Sequence, residues 1–182
     1  MNKRFLNKTV IVTGSGSGIG ETTAMKFAEE GANVVIAELN DISGTEVSKQ
    51  INKQGGNSIF IKTDVSQFES VNKMANQTVK QFGSLDILIN NAGINVFAEP
   101  LKMSENEWKR AFSVDLDGVW FGCKAALPFM LNQKKGSIVN VASVHGIQII
   151  PNCFPYPVAK HGVIALTKAL AVDYASKGIK IN

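Results

Sequence analysis

Thr9-Val10-Ile11-Val12-Thr13-Gly14-Ser15-Gly16-Ser17-Gly18-Ile19-Gly20 is the stretch on which the reading of this chain turns. Its first residues are a short, β-branched apolar run of the kind that suits a buried strand. Glycines follow, and then a helical pattern begins. A glycine repeat alone suits a flexible turn equally well. Between a strand and a helix, however, glycines let backbone approach a pyrophosphate without a Cβ in the way, and the helix N-terminus offers it free N–H groups and a partial positive charge. The next apolar run, Asn33-Val34-Val35-Ile36-Ala37, ends in Glu38, eighteen residues beyond Gly20. That is close to where a dinucleotide fold places the acid that binds an adenosine ribose. An acid there accepts from both ribose hydroxyls and repels a 2′-phosphate, so the expected cofactor is NAD rather than NADP.

Outward from this stretch, strands are expected near residues 8–13, 33–38, 57–62, 85–90, 136–142 and 178–182, alternating with helices near 18–30, 43–53, 67–81, 104–133 and 156–176. Such alternation requires right-handed crossovers and a parallel sheet covered on both faces. Ser104-Glu105-Asn106-Glu107 fits a capping box and marks the start of the long fourth helix. Along it Trp108, Phe112, Leu116, Val119, Trp120, Cys123, Leu127 and Met130 recur at steps of three and four, one wide apolar face.

Near the end of the chain, Tyr156 and Lys160 stand four residues apart, one helical turn, with Ser143 upstream. A free tyrosine titrates near ~10 and must fall by roughly 2–3 units to serve as a base near neutrality. An ammonium ~5 Å away supplies about 3 kcal/mol at an effective dielectric of ~20, a little over two units. The pair points to proton transfer at a hydroxyl or carbonyl. A surface lysine beside a packed tyrosine is the plainer alternative when the pair is taken alone.

Composition narrows the function classes. With 182 residues, 45% of them hydrophobic and 19% charged, the chain can bury one sizeable core, and residues 1–182 are read as a single NAD(P)-binding domain. The formal charge of +4, from 19 basic and 15 acidic residues, is scattered rather than clustered, which argues against a nucleic-acid partner. The basic start, Met1-Asn2-Lys3-Arg4, leads into a strand too short for a signal-peptide core or a membrane span, so no membrane association is expected. Cys123 and Cys153 are too few for a disulfide framework and suit reduced thiols in a cytoplasmic protein. His145 and His161 lack partners at metal-binding spacing, and no metal site is assigned.

Taken in order, Thr13-Gly14-x-x-x-Gly18-Ile19-Gly20, Asp64-Val65, Asn90-Asn91-Ala92-Gly93, Ser143 and Tyr156-x-x-x-Lys160 closely resemble the short-chain dehydrogenase/reductase family from about residue 8 onward. The resemblance implies a Rossmann-type, doubly wound parallel sheet with helices on both faces. It implies that Gly14, Ser17, Gly18, Ile19 and Gly20 cradle the cofactor, that Asp64 and Val65 contact adenine, and that the Asn90–Gly93 turn lets backbone approach it, Asn91 bracing neighbouring strands. Strand-ending turns are the alternative for Asp64 and for Ser143. Tyr156 would take or give the substrate proton, Lys160 would assist the phenol and hold the nicotinamide ribose, and Ser143 would donate to the substrate oxygen. The apolar segment from Ile147 to Phe154, with Val96 and Phe97, would wall a pocket for a compact alcohol or ketone. The fourth helix and the helix of Tyr156 would pair with their copies in a homodimer or homotetramer.

Two departures from the family pattern stand out. Where its members carry asparagine in the fourth helix, this chain has Asp115, which keeps the backbone carbonyl of a proton relay but not the amide donor. Ionised at ~8 Å from Lys160, Asp115 would oppose activation of the phenol by up to ~2 kcal/mol. The chain also stops at Asn182, inside the sixth strand, before the family's Pro-Gly cofactor turn, substrate loop and last strand. The expected function is an NAD-dependent oxidoreductase that interconverts a secondary alcohol and its ketone. The alternatives are a non-catalytic nucleotide-binding or dimerising remnant of such an enzyme, and an interaction protein that uses only its helix face.

Overall fold

Residues 3–182 are described by the computed structural model, and every strand expected from the sequence is present, several of them a residue or two shorter. The strands are β1 (Thr9–Thr13), β2 (Asn33–Glu38), β3 (Asn57–Lys62), β4 (Ile87–Asn90), β5 (Gly136–Asn140) and β6 (Ile179–Ile181). They form one sheet in the order β3-β2-β1-β4-β5-β6, parallel throughout. The order reverses between β1 and β4, where a doubly wound sheet opens a crevice at the carboxyl ends of its strands.

Alternate residues of each strand feed two cores. Val10, Val12, Val34 and Ile36 pack with Ala24 and Ala28 of α1 (Gly18–Glu29) and with Val47 and Ile51 of α2 (Asp41–Lys53). Ile11, Val35, Leu88 and Ile138 face Val71 and Met74 of α3 (Phe68–Phe82), Cys123 and Met130 of α5 (Gly118–Gln133), and Leu170 of α6 (Tyr156–Tyr174). All five residues of β1 are buried, and each large side chain fully withdrawn from water contributes about 1.5–3 kcal/mol. Helix α2 starts two residues before the expected position because the Asn40 side chain caps it, accepting from the N–H groups of Ile42 and Ser43.

The long fourth helix is where the structure departs from expectation. Its capping box is formed: Ser104 accepts from the Glu107 N–H while the Glu107 carboxylate takes the Ser104 N–H. The regular helix α4 (Glu105–Phe112) nonetheless stops short, a π-turn occupies Ser113–Asp117, and α5 resumes at Gly118. A π-turn holds one residue more than an α-turn, so the apolar stripe changes phase across it. Val119, Cys123, Leu127 and Met130 are buried, whereas Trp108 and Trp120 remain 39% and 38% exposed.

Candidate active site

The glycine turn after β1 is shaped by close backbone packing. Gly14 has φ +62°, and a Cβ there would stand 2.8 Å from the Ala92 Cα. At Gly20 a Cβ would meet the Gly14 carbonyl oxygen at 2.1 Å, so this glycine seats α1 against the turn. Ser17 precedes α1 without a side-chain cap, and the first backbone bond of the helix is that of the Glu21 N–H to the Ser17 carbonyl. The amides before it point out of the helix end and suit an anionic group. Ile19 is exposed, and with Gly18 it lines an open groove of about 720 Å³ along α1 rather than the main cleft.

That cleft, about 300 Å³, lies over the switch point between β1 and β4. Gly14, Ser17, Glu38, Asp64, Val65, Asn91, Ala92 and Gly93 all line it, joined by Leu39, Thr63, Ile94 and Val114. At one end the Glu38 carboxylate is fixed by three backbone donors: Gly16 N–H at 3.0 Å, Leu39 N–H at 2.9 Å and Asn40 N–H at 3.1 Å. Asp64 turns its carboxylate onto Ser66, accepting from both the backbone N–H and the hydroxyl, which makes it a turn former as well as a wall of the cleft. Asn91 braces the strands, donating to the carbonyls of Thr13 and Gly14.

Behind Gly93, which lines the cleft, stand Asp115 and Lys160. Asp115 lies in the π-turn, wholly buried, with Oδ1 accepting the Ile94 N–H at 2.9 Å and standing 3.9 Å from Lys160 Nζ. The ~8 Å separation expected from sequence is therefore wrong, and the two side chains form a buried ion pair. Asp115 Oδ2 is buried and receives no hydrogen bond. Burial pushes the Asp115 carboxyl up, against the pull of the Ile94 amide and Lys160, and draws the Lys160 ammonium down, against the pull of Asp115. Lys160 donates to the Val141 carbonyl at 3.3 Å, and its Nζ lies 5.5 Å from the centre of the Tyr156 ring. Gly93 closes the arrangement, since a Cβ there would stand 2.9 Å from Asp115 Oδ1 and 3.5 Å from Lys160 Nζ.

Tyr156 opens α6 with Pro157 in its first turn, where the missing N–H is harmless. Its ring meets Phe97 edge-on at 5.9 Å and His145 at 6.3 Å. Ser143 caps the 3₁₀ turn Val144–Gly146 by accepting from the His145 N–H at 3.2 Å, which leaves its own hydroxyl hydrogen to donate elsewhere. That turn is pressed against α6, for a Cβ on Gly146 would come within 3.0 Å of the Lys160 carbonyl oxygen. A cleft of about 400 Å³ beside Phe97 is walled by Ile149, Ile150, Cys153, Phe154 and Val158, while Val96 and Ile147 stand outside it.

Several residues shape the site through contacts that the sequence did not assign to them. Thr13 Oγ1 accepts the N–H groups of both Asn91 and Ala92 and so holds the turn after β4 against β1. Asn90 and Asn140 are register partners on β4 and β5; Asn90 donates to Asn140, which donates to Thr167 on α6. Cys123, adjoining this network, is an inert thiol whose burial pushes it up to about 12. Among the described residues no three His, Cys, Asp or Glu side chains cluster to hold a metal ion, and no helix is long and apolar enough to cross a membrane.

The family described as short chain dehydrogenase matches residues 8–182. The chain is 40% identical over 185 residues to glucose 1-dehydrogenase 2 of Bacillus subtilis, covering 100% of itself and 72% of that protein. It is 41% identical over 179 residues to meso-2,3-butanediol dehydrogenase of Serratia marcescens, with 98% and 70% covered. It is 37% identical over 183 residues to cyclohexanol dehydrogenase of an Acinetobacter strain, with 100% and 74% covered. A crystal structure provisionally described as a short-chain alcohol dehydrogenase from Sinorhizobium meliloti superposes with a TM-score of 0.95 at 30% identity, over 100% of this chain and 72% of that one.

Proposed function

Because this chain belongs to the short-chain dehydrogenase family, we propose that it is an NAD-dependent oxidoreductase that interconverts an apolar secondary alcohol and its ketone. The observation that carries the reading is the buried Lys160 ammonium 5.5 Å from the Tyr156 ring, beside Gly93 of the cofactor cleft. The chain's residues fit a nicotinamide dinucleotide: uncapped amides at the start of α1 suit the pyrophosphate, and the fixed Glu38 carboxylate suits an unphosphorylated ribose. When bound, the nicotinamide ring accepts or supplies the hydride.

The protein's own part is proton handling and positioning. In oxidation Tyr156 takes the alcohol proton at its phenolic oxygen, and in reduction it returns one to the carbonyl oxygen. Lys160 stabilises the phenolate by charge and offers its remaining N–H groups to the nicotinamide ribose. Ser143 donates its free hydroxyl hydrogen to the substrate oxygen, where charge develops. The cleft by Phe97 and Phe154 takes the apolar side of the substrate. The meso-2,3-butanediol and cyclohexanol named for two of the relatives are secondary alcohols, which supports this class.

Assembly as a homodimer or homotetramer is part of the proposal, supported by apolar side chains left exposed on α5 and α6, Trp120 and Val172 among them; light scattering measures it. The buried, unpaired thiols of Cys123 and Cys153 suit a reducing cytoplasm. The test of function is NADH binding, read by fluorescence enhancement, followed by turnover of a panel of secondary alcohols. Binding without turnover of any of them would favour a non-catalytic nucleotide-binding protein, and failure to bind NADH would refute both.

A further inference from the structure

The buried pair beside Tyr156 poses a problem that the proposed function leaves open. Lys160 is 3% exposed, so its ammonium has surrendered nearly all of its hydration. In exchange it has one carbonyl, that of Val141 at 3.3 Å, and the Asp115 carboxylate at 3.9 Å. A lysine buried in this way loses its proton more readily, and a neutral amine could neither stabilise a phenolate nor bind a ribose as a cation. Among the described residues, Asp115 is the one carboxylate within ion-pairing distance of it.

Among the described residues, the rest of the surroundings supply no second carboxylate partner. Tyr156 faces the ammonium from α6, and the His145 ring lies against Tyr156 from the turn after β5. From the segment after β4, Ile94 contributes only an N–H, and from the end of β5, Val141 only a carbonyl. The position of Asp115 is equally constrained. The π-turn points it inward, and the Ile94 N–H holds Oδ1 on the side of Lys160. Oδ2 takes no donor, which is a poor environment for a carboxylate kept only for its hydrogen bonds.

We propose that Asp115 is a positioning residue that acts through Lys160: it is the internal counter-ion that keeps the buried ammonium charged, and in place, through the alkaline range in which an alcohol is most readily oxidised. The inference rests on the proposed roles of Tyr156 and Lys160. It reverses the part expected of Asp115 at ~8 Å, where a distant anion would only weaken the field at the phenol. At 3.9 Å it sustains the source of that field.

The sign follows from the pairing. An anion beside a lysine raises the pH at which the ammonium is lost, so removing the anion lowers it. At an effective dielectric of ~20, a unit charge at this distance shifts the midpoint by up to ~3 pH units, and solvent entering the open cleft reduces that to roughly 1–3. Asp115→Asn keeps an oxygen for the Ile94 N–H and removes only the charge.

In protein carrying ¹³C-labelled lysine, the Lys160 Cε resonance, assigned by its disappearance in Lys160→Met, is followed with pH. The midpoint is expected to fall by roughly 1–3 pH units in Asp115→Asn, and the alkaline limb of kcat/KM for alcohol oxidation to move down with it. Identical midpoints in the two proteins, or a higher one in the variant, would overturn the inference; a purely structural Asp115 would leave both readings where they were. Should Asp115→Asn fail to fold, Lys160→Met tests the pair from the other side. Deprived of its cation, the Asp115 carboxyl is expected to titrate at least ~1 pH unit higher by its ¹³C shift, and an unmoved midpoint would again overturn the inference. The resonance reports on the pair in protein that turns over nothing, so absence of turnover in the unchanged chain would count against the proposed function alone.

Discussion

Replacing Glu38 by glutamine isolates the charge that is proposed to choose between NAD and NADP. The Glu38 carboxylate cannot swing away from an incoming phosphate, because Gly16 holds one oxygen while Leu39 and Asn40 hold the other. A 2′-phosphate brings about −1.5 to −2 charges. At ~5 Å and an effective dielectric of ~20, each unit of that charge meets about 3 kcal/mol of repulsion. The cleft is open at this end and Glu38 is only half-buried, so water and salt reduce the penalty to about 1.4 kcal/mol or a little more, at least tenfold in affinity. Glutamine keeps an acceptor for Leu39 and Asn40 but turns an amide towards Gly16, at a cost of about 1 kcal/mol to the local turn. NAD is therefore expected to bind the unchanged protein at least tenfold more tightly than NADP, and Glu38→Gln to bring the two within about threefold, mainly by strengthening NADP. Isothermal titration with each cofactor, at low and high salt, measures all four affinities; in the unchanged protein the NADP penalty should shrink as salt rises. Equal affinities in the unchanged chain, or a ratio that the substitution leaves alone, would refute the reasoning.

Tyr156→Phe should abolish alcohol oxidation while leaving the NADH dissociation constant within about twofold, whereas Lys160→Ala should damage both, and steady-state kinetics with fluorescence titration separate the two. At the opposite end of β4, Asp86 accepts from Lys8, the Thr9 N–H and Ser84. Burial works to raise the Asp86 carboxyl, but those partners outweigh it and hold it below its ordinary value. Its contribution is present above the unfolded-state value near ~4 and lost as pH falls through the folded one, so Asp86→Asn should cost about 1–2 kcal/mol at pH 7 and progressively less as the solution is acidified below ~4, as melting temperatures across that range would reveal. Ser104→Ala removes the capping box of α4 and should lower the melting temperature by roughly 2–4 °C, the equivalent of about 1 kcal/mol, with no change in NADH affinity.

Most of the sheet was legible because its signals are local. β-Branched runs such as Val34-Val35-Ile36 suit buried strands, and the glycines after β1 stand out as a turn between a strand and a helical pattern. Asn90 was visible in the turn motif after β4, but its pairing with Asn140 depends on the register between β4 and β5, which neither segment contains by itself. The distance between Asp115 and Lys160 was out of reach for a different reason. An α-helical repeat and one carrying a single π-turn predict the same steps of three and four over a short window, so Trp108, Phe112, Leu116 and Val119 read as one stripe. Only the packed structure reveals the π-turn between them and the 3.9 Å that separates Asp115 from Lys160.

A π-turn is equivalent to one residue inserted into an α-helix, and the insertion is reversible. Deleting Leu116 or Asp117 would let α4 and α5 run together without a break, but everything before the deletion would rotate by about 100° and advance by about 1.5 Å relative to α5. The repaired helix would be the more regular one, and the carboxylate now facing Lys160 would be swung off its axis. Directed evolution of this chain for heat resistance alone can therefore discover that deletion as an improvement while discarding the charge beside the phenol. The same single-codon step, run in the opposite direction, offers a way to install a buried carboxylate in a related helix that lacks one.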